Sequence, residues 1–440
     1  TNLTSFHFVK DSIKSYGLTG KQRFDVEVNI SKSSDFTEFT FDEKIISTNI
    51  ISENLENDVK TSILKREFYF IQTFLGKYPH DKILLNQIEY DKNPVYGFNQ
   101  LPSFLAAYNN AFEWDIKLFK VLSKKYIDEI FLFNKREDYW LANGLHTYLM
   151  IKYVEKYYPE IKAIGNISKL WGVRNFSISK IDFNDKYHFV YQFAARKNLD
   201  QALTTQADSL SNFNRKIANN YKAGLGLKYL EIYLDDCSVP GNIFKFSYAN
   251  SGKKVKSKQF IDLLKSETKK DLWWFENDYL TTNKKIDYTI KNISKKNDSL
   301  EISIANNRNF TAPIQLYGIK DKEIKFKKWL TGIDSITTIT IPTNGFDKLS
   351  LNYESQLPEY NLRNNWKDLD SKIFNRPLQL KFFKDIEDTY YNQLFYTPVY
   401  RFNYYDGLVL GMAFSNKTLL NKRINYKITP SYSTKSNTLS

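Results

Sequence analysis

The hydrophobic period changes twice along this chain, and those changes limit what it can fold into. Segments 23–31 (RFDVEVNIS) and 36–42 (DFTEFTF) alternate apolar and polar residues with period two, which predicts half-buried antiparallel strands. Near residue 56 the period becomes helical. Segment 56–75 (ENDVKTSILKREFYFIQTFL) reads as an amphipathic helix closed by Gly76. Further helices are expected at 111–131, 139–158, 188–199, 208–219 and 221–235, with Pro159 ending the second of these. From about 284 the chain returns to strands, at 286–293, 299–305, 312–319, 323–330, 336–341 and 348–353. Strands, then helices, then strands predict a multidomain α+β protein.

The finer organisation follows from the punctuation. Segment 83–90 (ILLNQIEY) reads as a short strand leading into the loop 92–102. The strands after 284 recur about every ten residues, the spacing of an immunoglobulin-like β-sandwich. Residues 402–415 (FNYYDGLVLGMAFS) and 422–434 (KRINYKITPSYST) alternate between aromatic clusters, as membrane β-barrel strands do. The expected domains are therefore the end of an N-terminal β-domain at 1–52 and a helical domain at 53–165 with its continuation at 166–280. A β-sandwich at 281–356, a linker at 357–400 and barrel-like strands at 401–440 complete the order.

Composition excludes several functions. Of 440 residues 42% are hydrophobic, enough for several cores. No run of about 18 apolar residues exists, so no transmembrane helix is expected. The chain opens at Thr1 without an apolar leader, which reads as a processed or trimmed piece. The lone Cys237 has no internal disulfide partner, and His7, His80, His146 and His188 are too few for a multi-histidine metal site. Lys and Arg exceed Asp and Glu by 63 − 49 = 14. That excess is spread along Lys- and Asn-rich stretches such as 291–297, with no nucleic-acid-binding motif, so a solvated basic surface is expected and no nucleic-acid partner. Neither a G-x-S-x-G nor a Gly-rich phosphate loop occurs.

Residues 139–158 (YWLANGLHTYLMIKYVEKYY) resemble the second zinc-binding helix of the gluzincin zinc aminopeptidases, the aminopeptidase N family. There the helix reads approximately W-L-N-E-G-F-A-x-Y, and its Glu is the third zinc ligand. Trp140, Leu141, Gly144 and Tyr148 keep the pattern, and the ligand position is Asn143. The family places an H-E-x-x-H helix a fixed interval upstream, its two His sharing one face and its Glu acting as general base. Counting back from Asn143 puts that motif at Lys120, Val121, Leu122, Ser123 and Lys124. Segment 221–231 (YKAGLGLKYLE) is similar to the family's Y-E-K-G helix start, matching at Tyr221 and Gly224. Tyr221 is then either the oxyanion-binding residue retained or a packing residue at a helix start. Only Gly97-Phe98-Asn99-Gln100 stands near the place of the family's G-A-M-E-N segment, without its key Glu.

The resemblance covers roughly 20–275, and the sandwich fits the family's small β-domain. It implies a thermolysin-like helical domain without catalytic residues, zinc or another cofactor. Two protonated Lys do not ligate zinc, and Val121 cannot take a proton from water. Lys120 and Lys124, one turn apart, either point into the old cleft, where they replace the zinc charge or bind a carboxylate, or sit on a rotated helix or reach solvent. His146 is expected to be hydrogen-bonded and half-buried, while Glu113, Asp115, Asp128 and Glu129 are expected to be surface carboxylates. The run Pro358-Glu359-Tyr360-Asn361-Leu362-Arg363-Asn364-Asn365, followed by barrel-like strands, resembles a family of outer-membrane proteins of the Bacteroidota. The function implied is an inactive binding or scaffolding module of an outer-membrane or envelope assembly, with a peptide or carboxylate ligand and other envelope proteins as partners. Its soluble domains would be periplasmic or at the cell surface. The rival readings are an atypical metallopeptidase and a soluble periplasmic peptide-binding protein.

Overall fold

The computed structural model describes residues 3–10, 13–20, 36–52, 54–96, 107–234, 238–343, 345–370, 375–420 and 422–439. The expected strand 23–31 and Cys237 lie outside the described residues. The architecture is mixed α+β. The chain forms two compact units, one of residues 1–158 and 203–272 and the other of 159–202 and 273–440.

In the first unit β1 (Leu3–Lys10) pairs antiparallel with β2 (Ile13–Gly20). β3 (Thr37–Phe41) and β4 (Lys44–Thr48) form a hairpin, and β5 (Lys82–Leu85) joins β4 in parallel. Between them α1 (Asn57–Leu75) ends where expected: Gly76 takes φ +72° and its N–H bonds the Gln72 carbonyl. Segment 83–90 is not one strand. After β5, Asn86 accepts from the Glu89 N–H at 2.8 Å, a capping box that starts the short helix α2 (Gln87–Lys92).

Two longer helices carry the candidate site. α3 (Asn110–Ile130) is capped by Asn109, which accepts from the Phe112 N–H at 2.8 Å, and runs into β6 (Phe131–Phe133). α4 (Tyr139–Tyr157) follows. Phe119 of α3 stacks on Tyr153 of α4 at 3.9 Å, and Phe70 of α1 meets both rings. Side chains such as Phe68, Phe119, Leu122, Leu145 and Leu149 are fully buried, each worth about 1.5–3 kcal/mol relative to exposure. α5 (Asp185–Arg196) belongs to the second unit. The helix expected at 208–219 is in its core a π-helical turn, Asn214–Ala218, that leads into α6 (Asn219–Leu234). α7 (Ser238–Asn250), β7 (Lys253–Val255), which pairs in parallel with β6, and α8 (Ser257–Glu267) complete this unit.

α4 and α6 approach closely because glycine faces threonine and alanine across the contact. A Cβ on Gly224 would stand 2.5 Å from Thr147 Cγ2, and one on Gly144 would stand 3.0 Å from Ala223 Cβ. The two glycines that match the family pattern are thus the points where the helix backbones come together.

The second unit contains the expected strands in two antiparallel sheets. One is formed by β8 (Tyr288–Lys296), β9 (Ser299–Asn306) and β12 (Ile336–Pro342), in the order β12-β9-β8. The other takes β10 (Ile314–Lys320), β11 (Glu323–Leu330), β13 (Lys348–Leu351) and β14 (Trp366–Asp368), in the order β11-β10-β13-β14. β8 touches β13 and β14, and Ile302, Ile304, Ile314, Leu316, Leu349 and Leu351 are buried between the sheets.

The run 358–365 closes this sandwich. The buried Glu359 accepts from the Tyr288 N–H at 3.0 Å, Asn352 Nδ2 at 3.0 Å and Asn365 Nδ2 at 2.6 Å. Tyr360 N–H bonds the Ile286 carbonyl at 2.8 Å, and Asn364 Nδ2 bonds Asp287 at 2.8 Å. Arg363 pairs with Glu387 at 2.9 Å. The run that resembles an outer-membrane family therefore acts here as a polar clamp on the first strand of the sandwich.

The segment expected as a linker, 357–400, carries β14, β15 (Leu378–Phe382) and most of β16 (Asn392–Asn403). Segment 402–415 is not one strand: β16 turns at Tyr404–Asp406 into β17 (Gly407–Ser415). β18 (Lys427–Ile428), β19 (Ser431–Ser433) and β20 (Thr438–Leu439) are short, and β15 runs parallel to β16. Among the described residues this sheet is open, with no closed barrel. One face buries Phe395, Val409 and Ala413, while the cross-strand row Tyr400–Leu410–Tyr432–Leu439 on the other is exposed. Among the described residues no helix is long and apolar enough to cross a membrane.

Candidate functional site

Lys120 and Lys124 on α3 and Asn143 and His146 on α4 line one cleft of about 650 Å³. Three of these are the positions at which the aminopeptidase resemblance expects zinc ligands. Val121, the counterpart of the catalytic Glu, is buried and not among the lining residues. The cleft is also lined by Lys92, Lys135, Arg215 and Lys216, so among the described residues six basic side chains face two carboxylates, Asp91 and Asp128.

Each polar group has a definite role. Asn143 Nδ2 donates to the Tyr139 carbonyl of its own helix at 3.0 Å. Lys124 bonds Asp128 at 3.0 Å, and Lys135 shares the same carboxyl oxygen at 3.2 Å. Burial opposes ionisation of Asp128, but these two ammoniums prevail and hold its carboxyl below the usual value. Lys120 Nζ donates to the Pro94 carbonyl at 2.7 Å and faces the Tyr96 ring at 6.0 Å. Burial, then the charge of Lys124, lowers the Lys120 pKa to about 7.

His146 is half-buried and hydrogen-bonded, as expected: its Nε2 lies 2.9 Å from the Lys120 carbonyl oxygen. An oxygen with no hydrogen fixes Nε2 as the donor, so Nδ1 carries none in the neutral ring. Burial and the charges of Lys120 and Lys124 lower its pKa to about 3, which keeps the ring neutral.

Tyr221, at the start of α6, is not among the residues lining this cleft, and burial, then the neighbouring Tyr96, raises its phenol above the usual value. Gly97–Gln100 lie outside the described residues. Among the described residues no group of three or more His, Cys, Asp or Glu side chains is placed to hold a metal ion.

Sequence reasoning missed a buried ionic cluster in the same unit. Asp115, expected at the surface, is fully buried and accepts from Arg66, Tyr158 and, at 2.8 Å, Tyr153. Glu67 is fully buried next to it. The visible signal was that each carboxylate stands on a mostly buried face of its own helix, Glu67 on α1 and Asp115 on α3.

No family model matches the chain, and no curated protein does. Among solved structures it is similar to the Legionella pneumophila aminopeptidase A, crystallised in complex with aspartic acid. That likeness covers 74% of this chain and 37% of the other, at 13% identity and a TM-score of 0.49.

Proposed function

We propose that this chain is an aminopeptidase-like module whose zinc site has been exchanged for a cationic cleft, and that it binds an anionic group, foremost a peptide carboxylate, without hydrolysing it. The observation that carries this reading is the cleft itself, where among the described residues six basic side chains meet two carboxylates, Lys120, Lys124 and Asn143 being the positions at which the resemblance expects ligands. Val121 has no atom that takes a proton, Lys124 is committed to Asp128, and the Asn143 amide is turned onto its own helix. None of the three supports metal-assisted hydrolysis. One charge-assisted hydrogen bond is worth about 1.5–3 kcal/mol, a Kd of about 6–80 mM on its own, so tighter binding needs a second such bond or contacts from the rest of a peptide.

Calorimetric titration with short peptides, carboxyl-terminated and amidated, tests this reading. Carboxyl-terminated peptides should bind, more weakly as salt rises, and a Lys120→Gln, Lys124→Gln double variant should lose them. Equal binding of amidated peptides would refute it. Elemental analysis finding about one zinc per chain after dialysis, together with turnover of an aminoacyl-anilide, would favour the atypical metallopeptidase instead.

The exposed row Tyr400–Leu410–Tyr432–Leu439 supports a second element of the proposal, that this sheet faces outer-membrane lipid alongside further strands, as part of an envelope assembly. Its rival is a soluble periplasmic binding protein. Recovery of the full-length product in the periplasmic fraction without detergent would decide for that rival.

A further inference from the structure

We propose that Lys120 is a covalent attachment point, its amine condensing reversibly with the carbonyl carbon of a small 2-oxo acid whose carboxylate is held by the surrounding cations. The inference rests on the anion-binding reading of the same cleft and adds chemistry to it.

The two lysines of the α3 face are not equivalent. Lys124 has Asp128 at 3.0 Å, and Lys135 shares that carboxylate. Among the described residues no carboxylate lies within ion-pair distance of Lys120, whose amine meets only the Pro94 carbonyl oxygen and the Tyr96 ring. An ammonium so placed, one helical turn from another, is costly to keep charged, and a neutral amine is a nucleophile. With its pKa at about 7, roughly half of Lys120 is free amine at neutral pH.

The groups around it keep that state. On its own helix stand Lys124 and the twice-paired Asp128; α4 contributes Tyr139 and a neutral His146, which donates to the Lys120 carbonyl. Asp91 and Lys92 line the cleft from α2, Lys135 from the turn after β6, and Arg215 and Lys216 from the π-helical turn. The space of about 650 Å³ admits a small oxo acid with water.

In the reaction the amine lone pair forms the C–N bond as the C=O π pair moves to oxygen. A proton passes from nitrogen to that oxygen through solvent, giving a carbinolamine. Loss of that oxygen as water leaves the imine, so amine plus oxo acid gives imine plus water with no change in redox state.

The test is reductive trapping with glyoxylate and borohydride, followed by peptide mass mapping, with glycolate as a competitor that lacks the carbonyl. The expected result is a carboxymethyl group on Lys120, formed at least about tenfold faster than on other lysines, because an ordinary amine is neutral in fewer than about one part in a thousand at pH 7. The rate should have a midpoint near the Lys120 value of about 7. Lys124→Gln should move that midpoint upward, and Lys120→Arg should abolish the preferred adduct while circular dichroism stays unchanged. Label spread evenly over the lysines, or appearing at Lys120 only near the ordinary lysine value, overturns the proposal even if the Lys120→Arg variant does not fold. Competition or calorimetric binding by glycolate without any Lys120 adduct would sink the imine alone. Absence of both adduct and binding would sink the anion-binding reading with it.

Discussion

Replacing Glu67 by glutamine should stabilise the first unit, by an amount that grows with pH. Glu67 and Asp115 are both fully buried. Asp115 has Arg66, Tyr153 and Tyr158 as donors, whereas neither oxygen of Glu67 meets a donor. The hydrogen bond open to Glu67 is the one it gives, protonated, to Asp115. Burial, then the charge of Asp115, raises its pKa well above the ordinary value of 4.5, and Arg66 only partly offsets this. For an acid raised on folding, the contribution to stability is full below the unfolded value and is lost as pH rises toward the folded one. The slope is about 1.4 kcal/mol per pH unit for one proton. Glutamine never ionises, so it removes that slope. Amide hydrogen exchange within Asn57–Leu75 reads this unit separately, and comparing the two proteins at the same pH cancels intrinsic exchange rates. Between about pH 5 and about pH 6 the protection of the variant relative to the parent should rise, by up to about tenfold. Parallel protection across that interval would show that Glu67 does not hold its proton, and the argument would fail.

Three other outcomes are expected. Gly224→Ala should cost about 1–3 kcal/mol, because its Cβ would stand 2.5 Å from Thr147 Cγ2, and Gly144→Ala should cost less; urea unfolding checks the order. Glu359→Ala orphans the buried Tyr288 N–H and takes one of two bonds from each of the Asn352 and Asn365 amides, which keep the Leu357 and Leu351 carbonyls, so a loss of at least about 1–3 kcal/mol is expected, measured by exchange in Tyr288–Lys296. Combining Lys120→His, Val121→Glu, Lys124→His and Asn143→Glu should give a chain that binds zinc by elemental analysis with little peptidase turnover. Groups that orient His ligands are commonly worth about 10–100-fold in affinity or activity, and no zinc at all would show that these positions do not converge as ligands.

What the sequence disclosed and what it hid have separate physical causes. α1 was legible to within a residue because a long amphipathic period ends at a glycine with positive φ. In segment 83–90 the apolar run Ile83–Leu85 outweighed the Asn86/Glu89 capping signal, which was equally present. The hairpin inside 402–415 was hidden by parity. Tyr400 pairs with Leu410 and Phe402 with Leu408, so paired positions share parity and the period-two pattern crosses the turn unbroken. Only Asp406-Gly407, a turn dipeptide, marked the break. α7 was not anticipated; its first turn carries Pro240 and Gly241, and proline is tolerated there. Glu67 and Asp115 were unreadable as a pair because they stand on different helices, and only tertiary packing brings them together.

The residues that match the aminopeptidase pattern and those that depart from it differ in where they sit. Trp140, Leu141 and Tyr148 are at most 2% exposed, and Gly144 and Gly224 set the approach of α4 to α6. These positions are fixed by packing, where one added methyl group costs kilocalories. Lys120, Lys124 and Asn143 face the cleft, where a substitution costs little stability and alters chemistry instead. The division is not complete, since Val121, which also departs from the pattern, is buried. Tyr221 also matches the pattern, but it is half-buried and does not line the cleft. Tyr221→Phe should therefore leave anion binding by the lysine cleft unchanged, and a loss of that binding would return Tyr221 to the site.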